Sequence, residues 1–436
     1  MSIQLSTADI TNDQSSTQAP TRYRWYVLCV LIAIYSCHTI DRSVLGVVIQ
    51  PLKEEFQVSD AALGALAGIL YTLAYSITIV PLGYLVDRFN RRNLLAAMLT
   101  VWSGLTVFSG LAQNFWTLVL ARIGVGAAES GGAPASMSIL SDYFPPQQRA
   151  SAIGIFYLST AIGIAASFLI GGYVAAEHGW RAAFFVAGAP GLLLAVILLA
   201  TVREPARGAS EQASERQAEA PPLLQAWKSI LRRASLRHQL VALLLSAFAA
   251  SALFTWAATL LVRVHGLDLK QAGLLVALAI GVCQSGGTVI VGRLSDRFGG
   301  KSLARLAVAP AIVSVISVPL GLTLALATDS TLAIVALFGT CLVIGAYTAP
   351  AYSFGLNLAG PRERGVMMSA IQIAGNLLGV GFGPLCTGLL SDAIGGQRGI
   401  ALALGAVMLV NLWAAVHYLF AARAVRAEEA IALARA

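Results

Sequence analysis

The chain has very little charge for its length. Only 11% of its 436 residues are Asp, Glu, Lys or Arg, and 57% are hydrophobic, whereas soluble domains carry about 25% charged residues. This composition excludes an ordinary soluble enzyme. It also excludes intrinsic disorder, which needs low hydrophobicity and high net charge. We therefore expect an integral membrane protein.

Groups that would hold a metal or a cofactor are scarce as well. The five cysteines lie within apolar segments without CxxC spacing, so we expect apolar packing residues rather than disulfide or metal partners. The Gly124-x-Gly126 pair has no Gly-Lys-Ser/Thr after it and is not a phosphate-binding loop. The sequence thus predicts no cofactor, no metal and no enzyme activity.

Twelve apolar stretches are long enough to cross a membrane, which takes roughly 20 helical residues. Because a lipid-exposed backbone must satisfy its own hydrogen bonds, each stretch is expected to be a helix. The predicted fold class is an all-α membrane protein with twelve transmembrane helices, flanked by a disordered tail at 1–20 and a second tail at 424–436. Spans 1 to 12 are predicted at residues 24–50, 59–86, 93–113, 115–143, 147–176, 181–202, 237–265, 269–292, 302–326, 330–358, 363–392 and 398–423.

The positions of the basic residues predict the orientation. If the termini and the loops after even-numbered spans share one side, that side holds 22 of the 29 Lys and Arg residues, and the other side holds five. Because cytoplasmic loops carry the excess of Lys and Arg, we expect both termini in the cytoplasm and the chain in the inner (plasma) membrane. The net charge of +8 then reflects topology and contact with anionic membrane lipids, not nucleic-acid binding.

The chain contains an internal repeat. The loop after span 2 reads GYLVDRFNRR from Gly83, and the loop after span 8 reads GRLSDRFGGK from Gly292, an offset of 209 residues. Two six-helix bundles are therefore predicted, at residues 21–202 and 237–423, joined by a charged cytoplasmic linker at 203–236. Two such bundles with a site between them near the membrane midplane are typical of transporters.

This duplicated loop resembles the signature loop of the major facilitator superfamily, and the resemblance covers essentially the whole chain. In that superfamily the loop locks the two bundles together on the cytoplasmic side while the opposite side is open. The resemblance implies the same gate here; the alternative is that these loops only hold the topology through their positive charge. The implied gate residues are Gly83, Asp87, Arg88, Asp296 and Arg297.

Four charged residues lie deep within the spans, all in the first bundle. Each costs about 2.5–3.5 kcal/mol at a helix centre on insertion scales, so an ionisable residue there is expected to be functional. We expect cross-helix pairing between spans 1 and 4, most simply Arg42 with Glu129. Asp41 is then expected near Arg122. The alternative is a static ion network that only fixes the register of the helices.

The chemistry that these groups offer is protonation. Burial favours the neutral form of a carboxylate and a nearby arginine favours the charged form, so opening or closing a cavity changes its proton affinity. His38 lies one turn before the charged pair of span 1. Because histidine titrates near neutral pH, it is a candidate proton relay, and a hydrogen-bonded core residue is the other interpretation.

The residues around these charges narrow the resemblance. Span 1 carries Ile40-Asp41-Arg42 and span 4 carries RIGVGAAESGG from Arg122, which is similar to the spinster-like branch of the superfamily. Branch members are implicated in moving sphingolipids and lysolipids. The resemblance implies Asp41 and Glu129 as proton-coupling acids. It implies the two arginines as their partners or as headgroup ligands. Hexuronate-type organic-anion symporters carry a similar Asp-Arg and Glu, so sugar acids are an alternative substrate.

The second bundle has no acid in the middle of a span, so proton coupling is expected to belong to the first bundle. Its polar mid-span residues are neutral, and a cavity with charge on one wall only suits an amphipathic ligand. Hydrogen bonding between helices explains the same residues equally well. The candidate cavity residues are Ser130 of the first bundle and Thr255, Trp256, Gln284, Tyr347, Gln372 and Asn376 of the second.

These patterns together predict a monomeric secondary active transporter that couples protons to the movement of an amphipathic, lipid-like substrate by alternating access. A proton-coupled symporter of small organic anions such as sugar acids is the alternative. A membrane-embedded enzyme or receptor is the third hypothesis, and the internal repeat argues against it.

Overall fold

The computed structural model describes residues 21–206, 223–299, 302–359 and 363–435. Within these ranges the chain is helical apart from short turns, and no β-strand occurs there. The predicted all-α fold with twelve membrane-crossing segments is confirmed. The predicted tail at 1–20 and linker residues 207–222 lie outside the described residues.

The first bundle contains six spans, of which spans 2 and 4 are each broken once. Short loops join successive spans, so neighbouring spans run antiparallel. The helices are Thr21–Phe56 (span 1), Asp60–Ala67 and Ile69–Arg88 (span 2), Arg91–Ser109 (span 3), Phe115–Glu129 and Gly132–Tyr143 (span 4), Pro146–His178 (span 5) and Trp180–Thr201 (span 6).

The second bundle repeats this order after a short linker helix, Leu223–Arg232. Spans 8 and 11 each contain a π-helical stretch, a rare local widening of the helix that often marks a functional site. The helix of span 12 continues through the residues predicted as a tail. The elements are Ala234–His265 (span 7), Leu269–Leu278, Ala279–Gln284 (π) and Ser285–Gly299 (span 8), Leu303–Leu326 (span 9), Ser330–Ile344 and Thr348–Leu358 (span 10), Arg364–Gln372, Ile373–Val380 (π) and Gly381–Ile394 (span 11), and Gly399–Met408 and Val410–Arg435 (span 12).

Ten of the twelve spans have the length and hydropathy of a membrane span. The two others are spans 3 and 4. Span 3 has 19 residues and begins with two arginines. Span 4 carries Arg122, Glu129 and Asp142 and breaks between its two helices. Charge therefore lowers the hydropathy of these two spans, although both remain helices of the bundle.

Side chains at helix starts fix where several spans begin. Asn114, Asp268 and Asp329 each accept a hydrogen bond from the amide three residues later, at 2.9, 2.7 and 2.8 Å. These bonds satisfy amide groups that the first helical turn leaves without partners. Spans 4, 8 and 10 consequently begin at the residues expected from the sequence.

The two bundles pack against each other through spans 1 and 7, spans 2 and 11, and spans 5 and 8. We call the end of the molecule that carries Thr21 and Arg435 the terminal face, and the opposite end the distal face. Near the distal face, a Cβ on Gly64 would lie 2.3 Å from the carbonyl oxygen of Pro384. Only glycine permits this contact, which brings span 2 directly onto span 11.

Candidate functional site

Two adjoining cavities lie between the bundles, with volumes of about 300 and 400 Å³. They share Tyr35, His38 and Arg42 of span 1 and Asn376 of span 11. Their size falls at the lower end of the range for sites that bind small molecules. We refer to the two together as the central cavity.

The two walls of the central cavity differ in chemistry. The first bundle contributes Arg42, which is the one strongly charged residue in the lining of the described part of the chain. It also contributes four tyrosines, Tyr35, Tyr71, Tyr75 and Tyr157. The second bundle contributes mainly apolar and neutral groups, which include Ala247, Ala250, Ser251, Phe254, Thr255, Ile280 and Val380.

Glu129 lies one side chain behind the cavity lining. It is fully buried at the end of the first helix of span 4. The hydroxyl of Tyr71 donates a hydrogen bond to its Oε2, and Nδ1 of His38 lies 3.4 Å from the same oxygen. Both side chains also line the cavity. A hydroxyl and an imidazole, two groups that can exchange protons, therefore connect the carboxylate to the cavity.

Asp41 is buried more deeply. It has no exposed surface and does not line the central cavity. Its carboxylate lies near Thr106, Glu129 and Arg122. Arg122 is also buried, and its Nη2 donates to the main-chain carbonyl of Asp41 at 2.8 Å. The expected proximity of Asp41 and Arg122 is present, and the hydrogen bond goes to the backbone of Asp41.

Arg42 faces the cavity and packs on an aromatic ring. Its guanidinium carbon lies 5.3 Å from the ring centroid of Tyr71, and that of Arg122 lies 6.0 Å from the same centroid. Both distances allow cation–π attraction. Arg42 is close enough to Glu129 for electrostatic interaction. The expected direct pair is absent among the described side chains, because the hydroxyl of Tyr71 bonds Glu129 instead.

Three of the seven residues predicted for the cavity do line it. Thr255 borders one of the two cavities, Gln372 borders the other, and Asn376 borders both. Gln372 also accepts a hydrogen bond from the hydroxyl of Tyr352 at 3.3 Å. The second bundle thus offers the cavity an amide pair on span 11.

The other four predicted residues do not border the central cavity of the described chain. The indole nitrogen of Trp256, a fully buried residue, donates to the carbonyl of Pro384 at 3.1 Å. The hydroxyl of Ser130 lies 3.0 Å from that of Thr78. These contacts are helix-to-helix hydrogen bonds, the alternative that the sequence left open. The four residues are Ser130, Trp256, Gln284 and Tyr347.

A network of ion pairs joins the bundles at the distal face. Asp60, at the start of span 2, is 1% exposed and accepts from Arg263 of span 7 at 2.6 and 3.0 Å. It also accepts from Lys53 and from Ser391 of span 11, both at 2.6 Å. The Asp60 amide in turn donates to Asp392 at 3.0 Å. We call these five residues the distal lock, which ties span 2 to both spans 7 and 11.

The residues expected to form a gate lie at the terminal face. Asp87, Arg88 and Arg297 are exposed there, and the Arg88 guanidinium lies 4.2 Å from the ring centroid of Tyr84. A Cβ added to Gly83 would meet no atom within 4 Å. The side chain of Asp296 lies outside the described part of the structure. The role of these residues as a gate stays a prediction.

Two features of the site were missed by sequence reasoning. Tyr71 and Tyr75 stand at i and i+4 on span 2, with ring centroids 6.1 Å apart, and this spacing is the available signal for a shared face. The pairing of Asp60 with Arg263 spans 203 residues. No local sequence pattern predicts a contact between residues so far apart, because the contact depends on how the two bundles dock.

The chain is similar in sequence to a known family and to several known transporters. The sequence model of the Major Facilitator Superfamily matches residues 31–380. An MFS-type efflux pump of Mycolicibacterium smegmatis is 27% identical over 403 residues, which cover 92% of each chain. A probable L-galactonate transporter of Escherichia coli K12 is 31% identical over 265 residues, which cover 59% of this chain and 58% of that protein.

A solved structure is also similar over nearly its whole length. It is a bacterial homologue of the human lysosomal transporter spinster, in an inward-facing and unoccupied conformation. The TM-score is 0.85 and the sequence identity is 28%. The match covers 93% of this chain and 98% of that chain.

Proposed function

This chain belongs to the Major Facilitator Superfamily, and from that premise we propose that it is a proton-coupled secondary active transporter of amphipathic, lipid-like substrates. Its spinster-like fold makes it a transporter rather than an enzyme. The observation that carries the proposal is the buried Glu129, which meets the central cavity through His38 and Tyr71.

Proton coupling rests on the contacts of Glu129. Moving a carboxylate out of water disfavours its charge, whereas nearby guanidinium groups and a donated hydrogen bond favour it. Rocking of the bundles changes the water content of the cavity and the position of Arg42, so proton binding changes with conformation. His38 transfers the proton between the cavity and Glu129 in this scheme. Asp41, which is buried one layer deeper, contributes a second carboxylate that lies near Glu129 and Arg122.

Alternating access rests on the difference between the two faces. The distal lock closes one end of the cavity, and the solved spinster homologue that this chain resembles, at a TM-score of 0.85, is inward-facing. We place the terminal face in the cytoplasm because 22 of the 29 Lys and Arg residues belong to that side of the sequence. The conformation is then inward-facing. Release of the distal lock and closure of the loops at Asp87 and Arg297 would give the outward-facing state.

The substrate class follows from the two walls of the central cavity. Arg42 and the tyrosines would receive a charged or polar headgroup, while Phe254, Ile280 and Val380 would receive an apolar tail. A small organic anion such as a sugar acid is the second candidate, because Arg42 alone could hold a carboxylate. The second bundle, however, offers no second cation to the described cavity, since Arg263 is held by Asp60.

Proteoliposomes that enclose a pH-sensitive dye would test this proposal. We expect an externally added lysophospholipid to drive proton movement through the reconstituted protein, and galactonate to drive none. Protein-free liposomes of the same composition control for leakage that the lysolipid itself causes. Proton movement with galactonate and not with the lysophospholipid would favour the sugar-acid alternative, and no movement with either would refute proton coupling of both substrate classes.

A further inference from the structure

A second concave site lies on the outer side of the second bundle, away from the central cavity. It is a groove of about 590 Å³ between spans 8, 9 and 10. Span 9 lines it at intervals of three and four residues, which is one face of a helix. Spans 8 and 10 approach each other so closely that a Cβ on Gly287 would lie 1.7 Å from the Leu342 carbonyl oxygen. We call this the outer groove.

The outer groove is apolar along most of its length and polar at one end. Its large apolar side chains are well exposed, with 54% of Ile290, 53% of Ile312 and 46% of Ile316 accessible. Its two polar side chains, Arg305 and Ser295, both lie near the terminal face, where span 8 ends and span 9 begins. This order of polar and apolar groups matches a lipid molecule in the leaflet on that side.

The polar end has unused hydrogen-bonding capacity. Ser295 is 5% exposed, and its Oγ is buried without a hydrogen-bond partner among the described residues. A buried hydroxyl without a partner is costly, so a bound acceptor at this place would remove a penalty. Arg305 is exposed on the same groove, and a guanidinium pairs well with phosphate oxygens.

We propose that the outer groove is a binding site for one anionic phospholipid, with an acyl chain along span 9 and its phosphate at Arg305 and Ser295. An anionic lipid is favoured over a zwitterionic one because Arg305 is the one charged side chain in the described lining of the groove. This site is separate from the central cavity, since spans 8 to 10 alone line it. The inference therefore does not depend on the transported substrate.

Native mass spectrometry of the purified full chain with added phosphatidylglycerol or phosphatidylcholine would test the site. We expect Ile312→Trp, which fills the groove, to reduce phosphatidylglycerol binding at least fivefold. Arg305→Gln should weaken phosphatidylglycerol binding about fivefold, the effect of one basic residue near an anionic lipid, and leave phosphatidylcholine unchanged. Arg305→Gln therefore tests the contact with the phosphate headgroup, and Ile312→Trp tests the contact with the acyl chain.

Two matched variants serve as controls for these substitutions. Val335→Trp adds the same ring at an exposed position of span 10 outside the groove, and Arg22→Gln removes an exposed charge of the first bundle. Both should bind phosphatidylglycerol as the unaltered chain does. The proposal is overturned if Ile312→Trp binds as much lipid as Val335→Trp, or if Arg305→Gln keeps the preference for phosphatidylglycerol that Arg22→Gln shows.

Discussion

Tyr71 holds the charged cluster of the first bundle together. Its hydroxyl donates to Glu129, and its ring lies under the guanidinium groups of Arg42 and Arg122. A hydrogen bond to a charged group contributes about 1.5–3 kcal/mol. One tyrosine therefore links the acid, both arginines and the cavity surface.

Replacing Tyr71 with Phe should lower the free energy of unfolding, because the buried oxygen of Glu129 loses its hydroxyl donor while the ring stays in place. We expect a loss of about 1–3 kcal/mol, measured by denaturation of the purified protein in detergent. Tyr75→Phe, one turn away on the same cavity wall, is the matched control. Equal stability of the two variants would contradict the structural importance of the Tyr71 hydroxyl.

Replacing Arg42 with Gln should weaken the binding of an anionic amphiphile. Loss of a charge-assisted hydrogen bond of about 1.5–3 kcal/mol corresponds to roughly a 10- to 100-fold rise in Kd. Arg42→Lys retains the charge and should retain more of the affinity. Calorimetric titration with a lysophospholipid gives both constants, and unaltered affinity in Arg42→Gln would mean that the headgroup binds elsewhere.

The charged residues of the cluster could be predicted because charge stands out in an apolar span. Their partners could be predicted only in part. The position of Asp41 beside Arg122 agrees with the expectation, whereas Arg42 does not pair directly with Glu129. Helix periodicity tells which face a residue occupies. It does not tell how a neighbouring helix is rotated, and that rotation brings Tyr71 to Glu129.

At the scale of elements, the start of span 2 is anchored to both bundles by side chains. Asp60 lies between Lys53 of its own bundle and Arg263 of the other. Glu55 and Arg181 form another ion pair at the same face, at 2.6 Å, but within one bundle and with both side chains 40% exposed. Glu55 therefore serves as a control for the loss of an exposed distal ion pair that does not join the bundles.

Asp60→Asn should loosen the contact between spans 2 and 11. Breaking a buried ion pair by removing one partner costs about 3–5 kcal/mol, which shifts the conformational equilibrium more than 100-fold toward distal opening. Hydrogen–deuterium exchange should rise in Asp60–Ala67 and Gly381–Ile394. Glu55→Gln should leave these segments protected, and identical exchange in both variants would argue against a distal lock.

The elements themselves differ in how well the sequence specifies them. The starts of spans 4, 8 and 10 could be predicted because Asn114, Asp268 and Asp329 are local capping residues. The π-helical stretches Ala279–Gln284 and Ile373–Val380 could not. A π-helix is not favoured by local propensity, so its place depends on packing against other spans.

At the scale of the whole molecule, the repeated loop was enough to predict two bundles, because each copy must end an equivalent pair of spans. The sequence does not specify which face is open. Both conformations of an alternating-access protein belong to the same sequence, and small free-energy differences between them set their populations. The sequence does specify that the charged mid-span residues belong to the first bundle. In the structure, the first bundle accordingly contributes Arg42 to the central cavity, and the second bundle contributes neutral and apolar groups.

The most direct test of proton coupling compares lysophospholipid transport by the unaltered chain, Glu129→Gln and Asp329→Asn in proteoliposomes with an imposed pH gradient. Asp329→Asn also removes one carboxylate, but asparagine retains the helix cap, so its transport should follow the gradient as before. Glu129→Gln should lose the dependence on the gradient while still exchanging substrate across the membrane. Gradient-driven accumulation by Glu129→Gln equal to that of the unaltered chain would contradict the account.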